Sequence, residues 1–118
     1  MNEYDNIAQR YIDSWNEQDA DKRRALIAEV FSPEVTYTDP LAQVAGVEAL
    51  DQVIAGAQQQ FAGLGFGLGP VDGHNDIVRF TWFLGAPGAE PLVVGFDVAV
   101  LEGGRITRVL GFLDKVPG

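Results

Sequence analysis

Residues 91–101, PLVVGFDVAVL, constrain the fold of this chain more than any other stretch. Val93, Val94, Phe96, Val98, Val100 and Leu101 are strand formers, and a run this dense implies a strand covered on both faces. One carboxylate, Asp97, interrupts it near the middle. An ionised carboxylate is costly in such a place unless it is paired, hydrogen-bonded or kept neutral. Asp97 therefore sits at the edge of the run near water, or is held inside for a purpose.

The segments before this strand carry helical periodicity. Tyr4, Ile7, Ala8, Tyr11, Ile12 and Trp15 recur every three or four residues, one apolar stripe of a helix over 3–16. Asp19 can cap a second helix that turns Leu26, Ile27 and Val30 inward and ends before Ser32-Pro33. Val35, Tyr37 and Asp39 alternate with Thr36 and Thr38, a short strand closed by Asp39-Pro40. On such a strand Tyr37 and Asp39 share a face. Gly46 precedes a third helix with Val47, Leu50, Val53, Ile54, Ala57 and Phe61 on its apolar side and Asp51, Gln52, Gln59 and Gln60 on its solvated side.

Beyond the third helix the chain reads as a meander. Gly63, Gly65, Gly67 and Gly69 alternate with Leu64, Phe66 and Leu68, and no Lys-Ser/Thr pair follows as a phosphate loop requires. The glycines instead suit a strand that bends or lets the third helix approach closely. Strands are expected over 64–71, 77–84, 91–101 and 105–113, separated by Asp72-Gly73 to Asn75-Asp76, by Gly85-Ala86-Pro87-Gly88 and by Glu102-Gly103-Gly104. The expectation is an α+β domain spanning residues 1–118. Three N-terminal helices pack on a curved, mainly antiparallel sheet and enclose a pocket.

Charge and cysteine usage narrow the chemistry. A net charge of -9 argues against nucleic acid and anionic membrane surfaces as partners, since both call for basic patches. The absence of cysteine removes disulfides, thiolate zinc sites and a cysteine nucleophile, and suits the cytoplasm. The acidic start MNEYDNIAQR is no signal peptide, and no apolar run reaches the ~20 residues of a membrane span.

Two carboxylates are candidates for acid–base work. A carboxyl group in an apolar pocket has a raised pKa, which suits it to accept a carbon-bound proton or to stay protonated and donate a hydrogen bond. Asp39-Pro40 is also ordinary turn chemistry, and Asp97 could cap a bulge or pair with Arg79, Arg105 or Arg108. His74, the one histidine, lies in a turn and could titrate near neutral pH. No metal-ligand spacing is visible, so neither metal nor cofactor is expected. Tyr11, Trp15, Tyr37 and Trp82 are core or pocket-wall residues whose polar ends need partners if buried.

The segments RYIDSWNEQD, ALIAEVFSPEVTYTDP, GVEALDQVI and GFDVAVLEGGRITRVLGFLD resemble the nuclear transport factor 2-like superfamily over nearly the whole chain. That group includes SnoaL-like polyketide cyclases and ketosteroid isomerases. The resemblance implies a cone-like fold with a pocket lined by Tyr11, Trp15, Tyr37, Asp39, Trp82 and Asp97. Three positions match the ketosteroid isomerases. Asp39-Pro40 after VTYT corresponds to their catalytic base, Tyr11 after Gln9-Arg10 to their oxyanion tyrosine, and Asp97 to their protonated aspartate. Segment GPVDGHNDIVRFTWFLGAPG is closer to the SnoaL-like proteins, where an aspartate is the acid/base of an aldol closure. Asp39 and Asp97 are both candidates for that role, with His74 assisting.

The resemblance thus implies a cofactor-free isomerase or cyclase that transfers a proton next to a carbonyl of a small hydrophobic molecule. Tyr11, Asp39 and Asp97 are its candidate catalytic residues, and Trp15, Tyr37, His74 and Trp82 its candidate substrate contacts. Two rival readings are a non-catalytic ligand-binding or interaction domain, and a hydrolase or dehydratase of the same fold. Phe96, Val98 and Val100 lie on the strand face opposite Asp97, so a homodimer through the sheet is expected.

Overall fold

The computed structural model describes residues 2–117. Helix α1 spans Glu3–Asn16. Its start is fixed by Asn2, whose side chain accepts from the Asp5 amide while the Asp5 carboxylate reaches back to the Asn2 amide. Ile7, Ala8, Tyr11, Ile12 and Trp15 are its buried stripe. The far end is tied to the sheet by Asn16, whose side chain both donates to the Phe66 carbonyl and accepts from the Phe66 amide, each at 2.8 Å. Helix α2, Ala20–Val30, is capped by Asp19 as expected, and α3 spans Val47–Gln60.

Six strands form one sheet: β1 (Phe31–Thr38), β2 (Gln43–Ala45), β3 (Gly65–His74), β4 (Ile77–Gly85), β5 (Val93–Glu102) and β6 (Arg105–Lys115). Their order is β2-β1-β6-β5-β4-β3, antiparallel throughout except for the parallel pair β1–β6. Register breaks occur in β1 between Phe31 and Thr36, in β3 between Leu68 and Val71, and twice along the β5–β6 ladder. Such bulges bend and twist a sheet, and the three helices pack inside the resulting concavity. The fold is α+β, as the sequence implies.

Four details differ from the expectation. Strand β3 continues through Asp72-Gly73, so the turn is Asn75-Asp76 alone, with Asn75 at φ 51°. Helix α3 approaches none of the four alternating glycines; a Cβ on Gly69 would instead lie 2.8 Å from the Phe83 ring of β4, and further along β3 a Cβ on Gly73 would lie 2.5 Å from the Tyr4 ring of α1. Strand β5 is covered on one face only. Val93, Gly95, Asp97 and Ala99 are buried beneath the helices, while Val94, Phe96, Val98 and Val100 are half-buried on the outer side. Lastly, Asp51 is buried. Its Oδ1 accepts from Arg23 Nε at 2.6 Å, and the same guanidinium reaches the Glu17 carbonyl and Gln58. This network joins α1, α2 and α3 at one point. The spacing of Asp51 hid it, since no sequence period reveals a buried cation on another helix.

Candidate functional site

The concave face holds a cavity of about 570 Å³ between the sheet, α1 and α3. Tyr11, Ile12 and Trp15 line it from α1, and Gln52, Val53 and Gly56 from α3. Tyr37, Phe66, Trp82 and Asp97 line it from the sheet, with Asp39 just past the end of β1. Both carboxylates and the aromatic residues singled out in the sequence therefore reach one space. His74 does not. It lies exposed at the β3–β4 turn, with Nδ1 3.2 Å from the Asn75 side-chain amide. A substrate contact by His74 has no geometric support.

Strand pairing brings the site together. On β5, Asp97 is opposite Phe80 of β4 and Gly111 of β6. Residues opposite one another share a face, so Asp97 points into the concavity with Phe80. Gly111 is the gap that admits the two acids. A Cβ there would lie 2.8 Å from Asp97 Oδ1 and 3.2 Å from Asp39 Cβ. Gly95 plays the same part for Trp82, whose indole lies across it; a Cβ on Gly95 would meet the ring at 2.0 Å. The sequence carried a signal for both, because a glycine inside a strand marks close approach. It did not say which side chain approaches.

The two carboxylates have different surroundings. Asp97 is 3% exposed. Its Oδ2 accepts a 2.8 Å hydrogen bond from the Tyr11 hydroxyl. Neither a bulge nor an arginine is its partner. Burial pushes its pKa up to about 6, with the Asp39 charge adding to the rise and the Tyr11 hydroxyl and Trp82 indole N–H opposing it. Asp39 is half-buried and well satisfied. Its Oδ1 accepts from the Leu41 and Ala42 amides at 2.7 and 2.8 Å, and its Oδ2 from the Tyr37 hydroxyl at 2.5 Å. That is the acceptor pattern of an ionised carboxylate. Burial, with the Asp97 charge next, raises the pKa values of Tyr11 and Tyr37, so both remain protonated donors.

Aromatic rings form a continuous part of the remaining wall. Trp15 packs 5.7 Å from Tyr37 and 5.4 Å from Phe66, and Phe66 lies 5.6 Å from Trp82. The indole Nε1 of Trp15 is buried and has no hydrogen-bond partner among the described residues. Also among them, no three histidine, cysteine or carboxylate side chains gather as a metal site would require. The arrangement can do two things. It can exclude water around an apolar ligand, and it can exchange a proton with that ligand through a carboxyl group that titrates near neutrality.

Comparison with known proteins agrees with this architecture. Residues 8–109 match the SnoaL-like domain family. The chain belongs to the SnoaL-like family. It is 40% identical to a "putative isomerase of the SnoaL-like family" from Agrobacterium tumefaciens, covering 97% of this chain and 99% of that one, with a TM-score of 0.90. A "putative SnoaL-like polyketide cyclase" from a Jannaschia species is 20% identical over 95% of this chain and 85% of its own, with a TM-score of 0.75. A "putative ketosteroid isomerase" from Kribbella flavida is 15% identical over 98% and 81%, with a TM-score of 0.73. The last two establish likeness of fold alone. No curated protein matches the chain. Among the described residues, no helix of this SnoaL-like chain is long and apolar enough to cross a membrane.

Proposed function

We propose that this SnoaL-like protein is a cofactor-free isomerase- or cyclase-like enzyme that transfers a proton next to a carbonyl of a small hydrophobic molecule. One observation carries the reading. A desolvated carboxyl group, Asp97, is hydrogen-bonded to Tyr11 and faces the same apolar cavity as a second carboxylate, Asp39. Pairs of titratable groups held in contrasting environments are how one site supplies both an acid and a base.

In this reading the ligand carbonyl oxygen lies against Tyr11 and protonated Asp97. Asp39 takes a proton from the adjacent carbon through the Oδ2 lone pair that Tyr37 leaves free. The electron pair of the broken C–H bond moves onto the carbonyl oxygen, and the two donors hold the enolate. Return of the proton to another carbon gives an isomer; attack of the enolate carbon on a second carbonyl gives a ring. The likeness to the "putative isomerase" from Agrobacterium tumefaciens, at 40% identity, supports this class of chemistry.

One observation favours a second reading, ligand binding without turnover: three donors already occupy Asp39. Deuterium wash-in separates the two. An apolar cyclic ketone such as 1-tetralone is incubated with the protein in D2O, and its α-protons are followed by NMR. The enzyme reading expects protein-dependent exchange that Asp39→Asn and Asp97→Asn each abolish. Binding to the cavity with no exchange above the buffer rate would leave the binding-module reading standing.

A further inference from the structure

Among the described residues Asp97 has no cationic partner. The ion pairs among the described residues all lie elsewhere, and none includes Asp97 or Asp39. Among the described residues, no lysine, arginine or histidine lines the cavity. A buried carboxylate without a counter-charge is energetically exposed to whatever enters beside it. Aromatic ring faces add negative potential of their own, and Tyr11, Trp15, Tyr37, Phe61, Phe66 and Trp82 all line this space. Both features act on a ligand in one direction, favouring positive charge and rejecting anions.

Among the described residues, nothing around Asp97 reverses this. Tyr11 faces it from α1, Tyr37 and Asp39 from β1 and the turn after it, Phe80 and Trp82 from β4, and Gly111 from β6. The titratable groups among them are Tyr11, Tyr37 and Asp39, and none brings positive charge. Helix α3 contributes only uncharged side chains to the cavity, Gln52 and Gln60 being its polar ones.

We propose that the cavity binds amines: an ammonium group on an apolar body, its charge seated against Asp97 and among the rings of Tyr11, Trp15, Tyr37 and Trp82. This goes beyond the carbonyl reading and does not require turnover. It also has an opposite signature in pH. An ammonium ligand needs Asp97 ionised, so its affinity is complete above the Asp97 pKa and falls about tenfold per pH unit below it. A neutral carbonyl ligand needs the proton on Asp97, so its affinity falls as pH rises.

The test uses phenyltrimethylammonium, whose charge does not titrate, and tert-butylbenzene, which has the same shape and no charge. Each is titrated into the full chain at pH 8 and pH 5. The fluorescence of Trp15 and Trp82 is followed, since both tryptophans line the cavity. The ammonium ion should bind at least about tenfold more tightly than the hydrocarbon at pH 8, from its ion pair with a desolvated carboxylate and its cation–π contact with the surrounding rings. That advantage should collapse at pH 5 and in Asp97→Asn. Equal affinity of the two probes at pH 8, an advantage that survives Asp97→Asn, or one that grows at pH 5 would each overturn the proposal. If Asp97→Asn does not give a native circular dichroism spectrum, the pH comparison on the unaltered chain decides alone. Hydrocarbon binding with no ammonium preference would sink the amine proposal and leave the carbonyl reading intact. Binding of neither probe would count against both.

Discussion

Replacing Asp97 by asparagine should make the protein more stable, and only over part of the pH range. The side chain keeps its shape, and the asparagine Oδ1 can still accept from the Tyr11 hydroxyl, which donates to Asp97 at 2.8 Å. The change removes the requirement to hold a charge out of water. Asp97 has a pKa of about 6 in the fold against an ordinary value of 3.8. Each tenfold change in proton affinity is worth about 1.4 kcal/mol, so ionising the buried group costs about 3 kcal/mol. The native state holds the proton more tightly than the unfolded chain. The associated stability is therefore present in full below about pH 4 and is lost as pH rises to about 6, flat beyond it. Asparagine has no such dependence. Urea unfolding of both proteins from pH 4 to pH 8, followed by circular dichroism, reads the difference directly. The variant should gain on the parent by about 3 kcal/mol between pH 4 and pH 6, then keep a constant lead. A difference that does not change with pH would refute the reasoning, since it would mean that Asp97 is not desolvated.

Asp51→Ala should cost about 3–5 kcal/mol in denaturant unfolding, because it strands the buried Arg23 guanidinium; a loss under 1 kcal/mol would mean the pair is solvated. Gly95→Ala should displace the Trp82 indole that lies over it, shifting the fluorescence of the protein and lowering its melting temperature; unchanged emission would contradict the close approach. His74→Ala should leave stability and ligand binding within about 0.5 kcal/mol of the parent, since the residue is exposed and outside the cavity. The outer face carries Phe96, Val98, Leu110 and Phe112, the last 58% exposed. We expect a homodimer through it, and a monomer at micromolar concentration in sedimentation equilibrium would count against that.

The helices were legible because each buries a stripe of period 3.6 and its caps are local: α1 and the Asp19 cap of α2 fall where the spacing places them. Long strands were legible for the same reason, as runs of β-branched and aromatic residues broken by glycine turns. Strand β2, three residues of which only Val44 is half-buried, was not. The extension of β3 through Asp72-Gly73 was hidden by residues that usually turn, and the ladder with Arg79 and Val78 overrides that preference. In the site, Tyr11, Asp39 and Asp97 could be named from the sequence, and the structure brings them to one cavity. What the sequence could not supply was who touches whom. The Tyr11 bond to Asp97 and the Gly111 gap beside the two acids depend on helix placement and strand register, which only the folded chain defines. His74 was singled out for its chemistry alone, and its place at a hairpin tip follows from where the turn falls.

The account turns on Asp97 being a desolvated carboxyl group that faces the cavity. The direct measurement is a carbon-13 NMR titration of the aspartate side-chain carboxyls in the unliganded protein, with Asp97→Asn assigning the signal. An Asp97 pKa of about 6 is the predicted result. An Asp97 that titrates near 3.9, like a model carboxylate in water, would contradict the account.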